Sequence, residues 1–125
     1  MATVQLTAEN FEEMVASNDM LIIDFWASWC GPCRTFAPIF ERVSEERPEL
    51  IFAKVDTEAQ PALASSFNIM SIPTLMIIRE GVVIYAEAGA LPEKSLVALV
   101  EKALELDMTE VHRTIAEEAS QVITS

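Results

Sequence analysis

The chain has 125 residues, 51% of them apolar, and carries 20 acidic against 8 basic side chains for a net charge of −12. That length fits one domain with its own core, and the acidity excludes a nucleic-acid binder and disfavours docking on an anionic membrane surface. Two cysteines are too few for a secreted disulfide scaffold, no apolar run exceeds strand length, and the start Met1-Ala-Thr-Val-Gln has no signal-peptide character, so a reducing, cytoplasmic compartment is expected.

In chain order, residues 3–6 read as a short edge strand and residues 8–17 as a helix capped by Thr7, with Phe11, Met14 and Val15 on one face. Residues 21–27 are too continuously apolar to alternate and read as a buried central strand. A helix is predicted over 33–46, striped by Phe36, Ile39, Phe40 and Val43, kinked at Pro38 and ended by Arg47-Pro48. Residues 51–56 form a second buried strand, and 61–67 a short helix with Pro61 in its first turn. Two β-branched-rich runs, 74–79 and 82–87, flank Glu80-Gly81 and signal a hairpin. After Gly89, residues 92–106 form a helix whose inner face is Leu96, Leu99, Val100, Ala103 and Leu104. A last helix is expected over 108–123, where Val111, Ile115, Ala119 and Val122 recur. It either packs on its own domain or contacts a partner or a second copy; His112 lies off the stripe as a solvated residue. Helices between the early strands imply parallel pairing, and the late hairpin adds an antiparallel edge.

The most informative segment is Trp29-Cys30-Gly31-Pro32-Cys33, which follows the first buried strand and opens a helix. A Cys-x-x-Cys at a helix mouth makes one thiol acidic, because free N–H groups and the helix dipole favour an anion there, and places the second thiol to attack it. Cys30 is then the attacking thiol and Cys33, one turn inward, the resolving one. Gly31 and Pro32 fix the turn between them, since the first helical turn does not need the missing proline N–H. A structural cross-link is a poor alternative because it closes a tiny loop. A zinc site needs four ligands, and only two cysteines and a remote histidine exist. Asp24, inside an apolar strand, is costly to bury and should have a raised pKa. Lys54 in the next strand is placed to sit beside it. Only Arg34 is charged between residues 25 and 40, and 71–75 and 88–91 carry no charge. Brought together, these stretches would make an apolar patch around the cysteines.

Asp24-Phe-Trp-Ala-Ser-Trp-Cys-Gly-Pro-Cys33, Ile72-Pro-Thr74, Glu80-Gly81 and Gly89-Ala-Leu91 stand in the order and approximate spacing of the thioredoxin family, which the chain resembles over roughly residues 3–106. The continuation Cys-Arg-Thr-Phe-Ala-Pro-Ile-Phe-Glu resembles the thioredoxin 2 type, without the zinc-binding segment that begins some of its members. The resemblance implies an α/β thioredoxin fold: a mixed sheet of about five strands flanked by about four helices, here with an extra C-terminal helix. It divides the chain into a thioredoxin domain over 1–106 and a helical extension over 107–125, on which the family is silent. It also implies a protein-disulfide reductase working by dithiol–disulfide exchange, with Asp24 as proton acceptor for Cys33. Ile72 and Pro73 would form a cis-proline loop that pairs with the target, and Trp29, Gly89 and Ala90 would complete the groove. Trp26 is expected in the core. No bound cofactor or metal is implied beyond the redox-active Cys30–Cys33 disulfide. The expected partners are thioredoxin reductase and disulfide-containing proteins, the chain being a monomer or a dimer through its tail. The other readings are a dedicated redox donor, or an interaction module whose tail selects one partner.

A thiol pKa lowered toward neutrality raises the thiolate fraction roughly 16-fold, and the loss of nucleophilicity takes back roughly fivefold. Acidity alone therefore speeds attack only about threefold. Most of the rate must come from positioning the target and from the neighbouring thiol.

Overall fold

The computed structural model describes residues 2–124, with backbone alone for 122–124. The elements are β1 (Thr3–Gln5), α1 (Phe11–Ser17), β2 (Met20–Trp26), α2 (Gly31–Glu46), β3 (Ile51–Asp56), α3 (Pro61–Ser66), β4 (Thr74–Arg79), β5 (Val82–Ala88), α4 (Glu93–Glu105) and α5 (Met108–Thr124). They build a five-stranded sheet in the order β1-β3-β2-β4-β5. β3 is parallel to β1 and β2, while β4 is antiparallel to β2 and β5. This is the α/β, mixed-sheet thioredoxin fold that the resemblance implied. The side chain of Val122 and residues 1 and 125 lie outside the described residues.

β2 serves two cores at once. Met20 and Ile22 join Phe52, Leu75 and Ile77 beneath α2 and α4. Leu21, Ile23 and Phe25 join Ala53, Val55, Met76 and Ile78 beneath α1 and α3. The period-two alternation of a strand makes this division, and burial on both faces explains why the sequence reads as an unbroken apolar run. Asp24 keeps the register of Met20 and Ile22, paired with Lys54 on β3 and Leu75 on β4.

Two helix starts differ from expectation by more than one residue. α1 begins at Phe11 rather than residue 8. The Asn10 side chain accepts from the Thr7 N–H at 2.8 Å and the Thr7 hydroxyl accepts from the Asn10 N–H at 3.3 Å. That reciprocal pair closes a turn over residues 7–10 and delays the helix. α2 begins at Gly31 rather than Cys33, because glycine and proline both fit a first turn whose N–H groups need no helical partner. It continues through the exposed Pro38 to Glu46. In the β4–β5 hairpin, Glu80 and Gly81 both take positive φ, 51° and 77°, as a two-residue turn of matching twist requires.

Arg79, the last residue of β4, holds the α4–α5 elbow. Its Nη1 donates to the carbonyls of Ala103 at 2.7 Å, Leu104 at 3.1 Å and Leu106 at 2.9 Å. These are carbonyls that a helix end leaves without intrahelical donors. Beyond the elbow, Asp107 caps α5 by accepting from the Thr109 and Glu110 N–H groups at 3.0 and 3.3 Å. Arg79→Met is expected to lower the free energy of unfolding by about 2 kcal/mol, the scale of bonds from a charged donor. Urea denaturation checks the loss, and hydrogen exchange should quicken across residues 107–113 while β2 stays protected. Unchanged stability would remove Arg79 from this role.

Candidate active site

Three chain segments converge at one end of the sheet, and topology alone puts them there. β2 ends at Trp26, β4 starts at Thr74 and β5 ends at Ala88, with Phe25 paired to Thr74 and Thr74 to Ala88. The loop after β2 therefore meets the loop before β4 and the segment after β5. The Gly89 N–H donates to the Pro73 carbonyl at 2.8 Å, and Cys30 Sγ lies 3.7 Å from the Ile72 carbonyl. The Ile72–Pro73 peptide bond is cis. The three charge-poor stretches thus adjoin, with Trp29 and Met70 exposed at 66% and 93%.

Cys30 and Cys33 are joined as a disulfide, with Cα atoms 5.2 Å apart. Cys30 is the N-cap of α2, in extended conformation, and its sulfur accepts from the Cys33 N–H at 3.2 Å. The first turn of α2 holds no acidic residue to oppose the positive helix end. Arg34, the charged residue nearest the pair in sequence, turns its guanidinium back to donate to the Ser28 carbonyl at 2.8 Å. Both sulfur-bearing residues are nearly covered, packed with Ala27 and the half-buried Trp26 and Ile72. Gly31 is half-buried and Pro32 exposed beside them; Pro73 is buried, while Gly89 and Ala90 are open to solvent.

Asp24 lies beneath this cap, fully buried, and neither carboxylate oxygen has a hydrogen-bond partner. Burial raises its pKa from 3.8 to about 7, although the Lys54 charge pulls the other way. Lys54 Nζ sits 5.0 Å from the centroid of the Trp26 ring. The same two residues line a cavity of about 100 Å³ together with Cys33. Asp24 itself does not line it, and most of its wall is apolar.

Sequence reading missed one part of this arrangement. Trp26 is not simply core: it is half-buried and forms the platform on which Lys54 rests. Its position two residues after Asp24, on the same face of β2, was the available signal. Among the described residues, no cluster of histidine, cysteine, aspartate or glutamate is arranged to hold a metal ion.

A buried cysteine pair on a helix N-terminus, beside the Ile72 carbonyl of a cis-proline loop, defines a dithiol–disulfide exchange protein. The thioredoxin family model matches residues 2–102, and the chain belongs to the thioredoxin family. A Streptomyces coelicolor protein assigned as thioredoxin 2 is 53% identical over 120 residues, covering 96% of this chain and 90% of its own. The thioredoxin of Porphyra purpurea is 38% identical over 104 residues, covering 82% of this chain and 97% of its own. Among solved structures, Plasmodium falciparum thioredoxin superposes with a TM-score of 0.74 at 32% identity, covering 80% of this chain and 98% of its own. The protein is accordingly a disulfide oxidoreductase, whose redox group is the Cys30–Cys33 pair and not a bound cofactor. Proteins of this family act with a thioredoxin reductase and on disulfide-bearing proteins.

Proposed function

We propose that the chain is a general protein-disulfide reductase of the thioredoxin 2 type, working as a monomer in the cytoplasm and recharged by a thioredoxin reductase. The observation that carries this reading is the Cys30–Cys33 pair capping α2 opposite the Ile72 carbonyl. In the reduced protein the Cys30 thiolate attacks one sulfur of a target disulfide. A mixed disulfide forms and one target thiolate leaves. Cys33, losing its proton, attacks Cys30 Sγ, and the second target thiolate leaves. The target has gained two electrons and the Cys30–Cys33 disulfide has re-formed.

Asp24 is the proton acceptor for Cys33 in this scheme. A carboxyl that titrates at about 7 can take and return a proton near neutrality. Lys54, resting on Trp26, tunes that charge. Ile72 offers its backbone to an extended target segment. Pro73 shapes that loop, Gly31 and Pro32 set the turn of the cysteine pair, and Trp29, Gly89 and Ala90 supply the exposed apolar surround.

The test is insulin reduction by the full chain with NADPH and a thioredoxin reductase, followed by equilibration against glutathione. Reduction is expected, with a potential more negative than the roughly −200 to −230 mV of glutaredoxins. An inactive chain, or a pair more oxidising than that range, would overturn the reading.

A further inference from the structure

Beyond its first turn, α5 stands on the protein without being packed into it. Met108 is buried, Val111 is half-buried and His112 Nε2 lies 2.9 Å from Glu80 Oε1, but residues 114–121 are all exposed. Between α5 and β5 runs an open groove of about 520 Å³. Its floor is apolar, from Val83, Leu106, Val111 and Ile115. Val83 and Ile115 each remain 44% exposed, and Leu106 39%. β5 is an edge of the sheet and pairs with β4 alone among the described strands. The rim is acidic, from Asp107, Glu110 and Glu118. Arg113, the only Lys or Arg between residues 108 and 124, is paired with Glu110 and Glu117 and offsets part of this charge, but a single cation against Asp107, Glu110, Glu117 and Glu118 leaves the rim net acidic.

The exchange reaction does not account for this groove. It lies at the start of β5, whereas the cysteines face the end of that strand. It is also not a general property of the fold. The thioredoxin family model ends at residue 102, before α5, while the Streptomyces alignment takes in 120 of 125 residues and must enter α5.

We infer that the α5–β5 groove docks a cationic, amphipathic segment of a partner protein. The apolar floor asks for alternate apolar side chains, and the net acidic rim, with Glu118 outside the Arg113 ion pairs, asks for lysine or arginine between them. A second copy of this chain is a poor occupant, because its own groove-facing side chains are acidic and each chain carries −12. The inference is independent of the reductase reading, since none of these residues belongs to the exchange site.

The experiment uses the oxidised full-length chain, 15N-labelled, and a capped peptide of about six residues alternating valine and lysine, a strand-like period. Amide shifts are expected at residues 82–84 and at 111 and 115, and not at residues 30–33. Affinity should exceed that for the valine–glutamate peptide by about tenfold, fall by a similar factor in Glu118→Lys, and weaken with salt. Ile115→Lys, at an exposed position, should abolish the shifts while insulin reduction stays at its full rate. Absence of shifts, equal binding of the acidic peptide, or binding that survives Ile115→Lys would overturn the proposal. So would groove resonances that move with protein concentration alone, which would assign the groove to a second copy.

Discussion

Cys33→Ser is expected to halt turnover after the first exchange. Insulin reduction should fall by at least about a thousandfold, the scale for removing an essential member of a catalytic unit. The diagnostic product is covalent. Serine cannot displace the target from Cys30, so the mixed disulfide accumulates and mass spectrometry should find one target chain bound per protein. Cys30→Ser, by contrast, should be equally inactive and should trap nothing. The assignment follows from placement: Cys30 caps α2 beside the Ile72 carbonyl, whereas Cys33 lies inside the first turn. Adducts on Cys33 in the Cys30→Ser variant would reverse the two roles.

Asp24→Asn carries the second largest expected effect, and it acts on stability and rate in opposite directions. The folded carboxyl has a pKa raised from 3.8 to about 7, so ionising it is harder in the folded protein than in the unfolded chain. Its contribution is therefore most favourable below the unfolded pKa. It declines as pH rises from about 4 and is fully lost once pH passes the folded value near 7. Holding the carboxylate ionised in the folded chain then costs about 4 kcal/mol, a large fraction of the roughly 5–15 kcal/mol that holds a domain together. Asparagine cannot ionise, although its amide must still be buried, so a gain of about 2–4 kcal/mol is expected at pH 8 and little at pH 3. Urea unfolding of the oxidised protein at both pH values measures the difference. Turnover should slow on the order of a hundredfold, the lower end of general-base contributions, and lose its inflection near neutrality. A rate unchanged across pH 6–9 would remove Asp24 from proton transfer.

The sheet was legible because β2 and β3 are apolar on both faces and because Glu80-Gly81 is a two-residue turn whose glycine takes positive φ without a Cβ clash. The placement of the cysteines and of Pro73 was legible for a related reason, because a helix start and a strand entry are local features, and Asp24 stood out as an acid inside an apolar strand. The first residues of α1 and α2 were not legible. The Thr7–Asn10 exchange and the glycine–proline turn of α2 depend on competition between local hydrogen bonds, which hydrophobic spacing does not report. Arg79 was likewise invisible as a clasp, since its three acceptors lie 24 to 27 residues further along the chain. The last helix showed its stripe in sequence, but periodicity cannot say whether a stripe is covered. Only the folded chain shows Ile115 left open.

The placement of β4 sets a tether length. The strand begins beside the Ile72–Pro73 loop and ends at the Arg79 clasp under the α5 elbow, a run of six residues. At about 3.4 Å per residue that is roughly 20 Å. A protein seated at the elbow therefore presents to the cysteines only those disulfides that lie about six or more extended residues from its docked segment. Bridges nearer than that are spared, and those just within reach meet the pair at millimolar effective concentration.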